Sequence, residues 1–159
     1  MDLPKRKPTR LKEYDYSQNG AYFVTICTKD RKPLLSKIIV GEGLCALPKN
    51  ILTPIGQEVE KCIQYINDKY DNVVMEKYVI MPNHIHLIVV INDSGGDGTP
   101  PLQNIIGQLK SYTTNKFGTT PWQRSFHDHI IRGEQDYRKI WGYIDTNPIK
   151  WESDCFYCD

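Results

Sequence analysis

The chain has 159 residues, 40% hydrophobic and 25% charged, with a formal net charge of +1. That length suits one domain with a real core, and the near-neutral balance excludes nucleic-acid binding by overall basic excess, so any such binding must come from a local patch. Five cysteines at scattered spacing (Cys27, Cys45, Cys62, Cys155 and Cys158) do not make a secreted disulfide framework, and no apolar run approaches the roughly 20 residues that span a bilayer.

The N-terminal stretch is charged and carries no apolar signal core, so a cytoplasmic protein without a membrane partner is expected. Its run Lys5-Arg6-Lys7-Pro8-Thr9-Arg10-Leu11-Lys12 is the local basic patch, readable as a nucleic-acid contact or as a solvated tail. Residues 1–19 are expected to form that tail, and residues 20–159 a single domain.

Ala21 to Thr28 is β-branched and aromatic and predicts a strand. Leu34 to Asn50 carries Gly41, Gly43 and Pro48 and reads as mostly loop, with a short strand at Ile38 to Val40. Thr53-Pro54 is a helix start, a hydroxyl cap before proline. The stripe Ile55, Val59, Cys62, Ile63, Ile66 continues it toward Tyr70. Val73 to Ile80 predicts a second strand and His84 to Ile91 a third, joined by Met81-Pro82-Asn83 as an antiparallel pair. The third is almost wholly apolar, as a central strand is.

Asn92 to Pro101 is loop. A helix from Leu102 buries Ile105, Ile106 and Leu109 and stops at Gly118. Trp122 to Arg132 predicts a strand, and Glu134 to Asn147 a last helix ended by Pro148. Strand, helix, strand, strand, helix, strand, helix describes an α+β fold, a ferredoxin-like antiparallel sheet with helices packed on one face.

His84 and His86 interrupt the most apolar strand, and alternation puts both on one side. Paired imidazoles fill a core poorly and hold a divalent metal well, with at least one further ligand. The donor type suits Zn, Mn, Co or Ni, and Mg where phosphate and water complete the shell. On the last helix Tyr143 and Asn147 are one turn apart. They lie roughly 90° around from the stripe Tyr137, Ile140, Trp141, Ile144, at the margin of the buried face. Asn147 there is a metal ligand or a cap before Pro148, and Tyr143 a nucleophile or a packing residue. Cys155-Phe156-Tyr157-Cys158 has knuckle or redox spacing without a second pair, a weak signal.

Tyr78-Val79-Ile80-Met81-Pro82-Asn83-His84-Ile85-His86-Leu87 resembles the REP-associated tyrosine transposases of the single-tyrosine (HUH) transposase family. The likeness continues through Trp122 to Arg132 and through Tyr143 to Pro148, in family order over about residues 20 to 151. The resemblance implies the HUH endonuclease fold and single-stranded DNA bearing a hairpin as partner. It implies Mg or Mn in function, held by His84, His86 and Asn147. It makes Tyr143 the nucleophile that forms a 5′-phosphotyrosine, and leaves homodimer or monomer open. Tyr112, without an amide four residues on, is the weaker candidate. Supporting DNA contacts are expected among His129, Arg132, Arg124, Lys110, Lys116, Trp122 and the basic Lys5, Arg6 and Lys7. The alternatives are a non-catalytic nucleic-acid-binding module of the same fold and a small-substrate metallohydrolase. Against the latter stands the lack of an acidic ligand near the histidine pair in sequence.

Overall fold

The computed structural model describes residues 10–92 and 98–158. In chain order the elements are β1 (Gly20–Cys27), β2 (Ser36–Ile39), β3 (Lys49–Leu52), α1 (Pro54–Lys69), β4 (Val73–Ile80), β5 (His84–Ile91), α2 (Leu102–Phe117), β6 (His127–Ile131) and α3 (Glu134–Thr146). Four strands form one antiparallel sheet in the order β4-β5-β1-β6. The crossover from β1 through α1 to β4 leaves a gap one strand wide, and β5 fills it, which is the split βαβ arrangement of ferredoxin-like folds.

Local chemistry sets the helix ends. Thr53 accepts the Gly56 N–H at 3.2 Å and Pro54 opens α1. Gly118, at φ 72°, closes α2 with its N–H on the Thr114 carbonyl. Gly56 is required by contact: a Cβ there would sit 2.0 Å from the Leu35 carbonyl oxygen. Leu35 in turn donates to the Pro82 carbonyl, so the start of α1 and the turn before β5 grip the same loop.

The period of β5 divides the molecule. Ile85, Leu87, Val89 and Ile91 enter the core beneath α1 and α2, with Val59, Ile63, Ile66, Leu102, Ile105 and Leu109. Ile88 and Val90 face the other way, against Ile140 and Ile144 of α3. Packing on one face holds for α1 and α2; α3 takes the opposite face, because a central strand apolar on both sides needs cover on both. The region read as mostly loop holds a surface hairpin, β2 paired with β3. The β3 residues alternate between exposed and half-buried, which leaves only a faint apolar signature. β6 is shorter than its sequence suggests, since Trp122 makes only an isolated bridge to Thr28.

Candidate active site

The turn before β5 is held rigidly. The Asn83 carbonyl accepts from the Thr28 N–H at 2.9 Å and from the Thr28 hydroxyl at 3.1 Å, and Met81 donates to the His84 carbonyl at 2.9 Å. The Asn83 amide nitrogen donates to the carbonyls of Phe156 (2.7 Å) and Arg31 (3.3 Å). Its oxygen therefore faces His84 Nδ1, 2.8 Å away, and must accept from it. That places the imidazole proton on Nδ1 and turns a bare Nε2 lone pair into the site. His86 Nδ1 meets the Thr25 hydroxyl at 2.9 Å, leaving its Nε2 equally free.

His84 and His86 are buried, with ring centroids 4.5 Å apart. Burial pushes the His84 imidazole down to about 4, against the opposing pull of the Asp154 charge. Burial and the neighbouring His84 push His86 down to about 2. Both rings are thus neutral at neutral pH, the form a metal needs. Among the described residues, three buried atoms here have no hydrogen-bond partner: His84 Nε2, His86 Nε2 and Asn147 Oδ1. Asn147 sits at the end of α3, and its amide nitrogen donates to Asp154 at 3.1 Å. Asp154 completes a cluster with the two histidines, their ligand atoms all within 4.8 Å of one another. Orphaned buried acceptors cost about 1–3 kcal/mol each unless satisfied. Imidazole nitrogens and a carboxylate oxygen within 4.8 Å of one another, with an amide oxygen left without a partner, fit a divalent cation.

Tyr143 lies one turn before Asn147, 40% exposed, its ring 5.2 Å from His86 and edge-on to Phe23 at 6.1 Å. Burial, then the Asp154 charge, raise its phenol above the ordinary tyrosine range. A cavity of about 160 Å³ beside it is lined by Thr146, Asn147, Lys150 and Asp154. Tyr112 is far from this chemistry, its hydroxyl on Glu58 of α1.

The segment after α3 was not anticipated as part of the site. Phe156 lies 4.4 Å from the His84 ring and 5.9 Å from His86. The Arg31 guanidinium stands over Phe156 at 5.4 Å and donates to the Cys155 carbonyl at 3.4 Å. Asp154 supplies an acid beside the histidine pair, where the local sequence has none. Its distance of seven residues past Asn147, beyond the helix end, hid it. Thr25 becomes visible only through strand register, where it pairs with both His86 and His127. All five cysteines are free; Cys155 is exposed and Cys158 half-buried beside Asn83.

No protein-family model matches the chain. It is 35% identical to an uncharacterized Haemophilus influenzae protein, over 97% of its own length and 94% of the relative's. A second protein of that organism, provisionally named a REP-associated tyrosine transposase, is 24% identical over 86% of the chain and 74% of that protein. The REP-associated tyrosine transposase of Escherichia coli is 31% identical over 46% of the chain and 42% of that protein. Among solved structures, a REP-associated tyrosine transposase bound to a REP hairpin shares the fold, with a TM-score of 0.65 at 22% identity, over 89% of this chain and 73% of that one. The chain is similar in sequence to proteins named REP-associated tyrosine transposases, and it shares the fold of one of them.

Other residues singled out in the sequence lie outside the cluster. His129 is exposed on β6 and bonded to Asp136 at 2.8 Å. Arg132 and Arg124 are exposed. Lys116 is exposed, its ammonium 5.7 Å from the Tyr112 ring. Lys110 is spent on the fold: its ammonium is clamped by the carbonyls of Gln123 (2.9 Å) and Ser125 (3.2 Å). Trp122 is buried and its indole donates to Thr113 at 2.7 Å, so no face of it is free for a base. Lys5, Arg6 and Lys7 lie outside the described residues. Among the described residues no helix is long and apolar enough to cross a membrane.

Proposed function

We propose that this chain is a metal-dependent single-strand DNA endonuclease and strand transferase, acting on hairpin-bearing DNA through a 5′-phosphotyrosine on Tyr143. One observation carries the reading: a tyrosine half-open to solvent stands 5.2 Å from His86, beside three buried acceptors that have no partner. The hairpin substrate is taken from the DNA held by the solved relative.

His84, His86 and Asn147 would hold the cation, with Asp154 orienting the Asn147 amide and adding negative charge. A bound Mg or Mn ion supplies electrostatic stabilisation of the phosphate charge and of the leaving oxygen. The chain's own residues do the rest. Tyr143 gives up its phenolic proton and its oxygen attacks the scissile phosphorus. The Tyr143 O–P bond forms as the bond from phosphorus to the 3′ oxygen breaks, and that oxygen leaves as a hydroxyl. The phosphodiester bond energy stays in the covalent link, so another 3′-hydroxyl can reverse the step. Since the phenol is raised above its ordinary range, ionising it is the part of the step most in need of help. The reading takes residues 20–159 as a single domain and leaves open whether a monomer or a homodimer acts.

The test is incubation of hairpin-bearing single-stranded DNA with Mg or Mn, followed by denaturing electrophoresis. A covalent protein–DNA adduct is expected, and Tyr143→Phe should abolish it. An undiminished adduct in Tyr143→Phe removes the nucleophile assignment. Tight binding with no adduct under any metal favours a non-catalytic binding module instead.

A further inference from the structure

α3 covers only part of its face of the sheet. Ile140 and Ile144 pack on Ile88, while His127 and His129 of the edge strand β6 stay exposed. His129 pairs with Phe23 of β1, and the Phe23 ring touches both His86 (5.2 Å) and Tyr143 (6.1 Å). An open shelf therefore runs from the nucleophile to the free edge of the sheet, two strand spacings or roughly 10 Å away. At that edge lies a cavity of about 530 Å³ lined by Arg10, Lys12, Tyr16, Asp128, His129 and Arg132. Arg10 is 3.9 Å from the Asp128 carboxylate, and His129 is bonded to Asp136. Lys12 and Arg132 are exposed and enter no ion pair among the described residues, so the cleft keeps two uncommitted cations. In a chain with a net charge of only +1, two free cations facing one cleft that meets the Tyr143 face of the sheet at His129 form a local anion site.

We infer that this cleft at the β6 edge binds the sugar-phosphate backbone of the DNA that flanks the scissile position, through Lys12 and Arg132. The inference rests on the proposed DNA substrate and adds a second contact region outside the Tyr143 site. Such contacts position the strand without reading its bases.

The test is equilibrium binding in a Tyr143→Phe background, so that no cleavage intervenes. The dissociation constant is followed against salt for hairpin-bearing DNA and for a single strand without a hairpin. Lys12→Ala with Arg132→Ala should make the salt slope shallower by about 2, near 1 for each lost phosphate contact. Lys61→Ala, on α1 across the sheet and paired with Glu58, should leave the slope unchanged. A change seen only with the hairpin assigns the cleft to the stem, and a change with both DNAs assigns it to the single strand. An unchanged slope in the double variant, or no DNA binding by the parent, overturns the inference. Adduct formation in the native protein is scored separately: an adduct with an unchanged slope keeps Tyr143 and removes the cleft, and a shallower slope without an adduct does the reverse.

Discussion

On one face of the sheet β5 sends Ile85, Leu87, Val89 and Ile91 into a closed layer under two helices; on the other, the same strand presents His84 and His86 before Ile88 and Val90. The first face gains by burying apolar surface. The second buries two imidazoles and an amide oxygen with lone pairs that nothing satisfies, at about 1–3 kcal/mol for each such atom. One strand thus carries both the interior that holds the protein together and a site that weakens it. That division is what a functional centre on a rigid support looks like: the helical layer supplies stability, and the histidine face uses some of it to keep unpaired acceptors in position.

The largest expected effect tests that division directly. Leu87→Ala removes a fully buried side chain and should cost about 2–5 kcal/mol in metal-free denaturation. His86→Leu, on the opposite face, replaces an unsatisfied imidazole with an apolar group of similar size. It should change metal-free stability by less than about 1 kcal/mol, since a lost hydrogen bond to Thr25 is offset by the orphan removed. Mn should raise the melting temperature of the native protein, and His86→Leu should erase that rise. Equal losses from the two substitutions would show that the histidine face is ordinary core.

Gly56→Ala comes next. The added methyl would meet the Leu35 carbonyl at 2.0 Å, so the backbone must move, at about 1–3 kcal/mol. Because Leu35 also bonds Pro82, the shift should reach the turn that aims His84. Metal affinity, read by calorimetry, should fall along with stability. Unchanged affinity would mean that the two faces are mechanically independent.

How much of this was legible beforehand follows from what each residue depends on. Helical stripes marked α1 and α2, and an almost wholly apolar run marked β5 as a central strand, because burial on a regular element writes itself into the sequence. His84, His86, Tyr143 and Asn147 stood out as polar groups at the margins of such patterns, and the structure brings those four together. Asp154 and Phe156 follow the end of α3 in an irregular segment, where no period exists to reveal that they fold back on β5. The β2–β3 hairpin alternates in burial, but too shallowly to write a clear apolar pattern. Trp122 misled for a related reason: an aromatic residue in a polar stretch looks like a base-stacking platform, and only the buried bond to Thr113 shows it to be core.

The smallest effect separates the faces by pH. In the metal-free native state His84 and His86 resist protonation down to about 4 and about 2, whereas in the unfolded chain each takes a proton near 6.5. Below 6.5 the unfolded state binds protons that the native state refuses, so stability is full above that value and falls as the medium is acidified. Between pH 7 and pH 6 the loss should be roughly 0.7 kcal/mol for each ring. Other groups do not imitate this. The Asp136 carboxyl is held below the ordinary range by His129, so its contribution disappears only in stronger acid. Burial raises the Asp128 carboxyl, which therefore takes up its proton first in the native state, with the opposite sign. Melting temperature from pH 7 to 6 should accordingly drop in the native protein and stay nearly flat in the double variant His84→Leu with His86→Leu. A drop of equal size in that variant would move the acid sensitivity away from the histidine face.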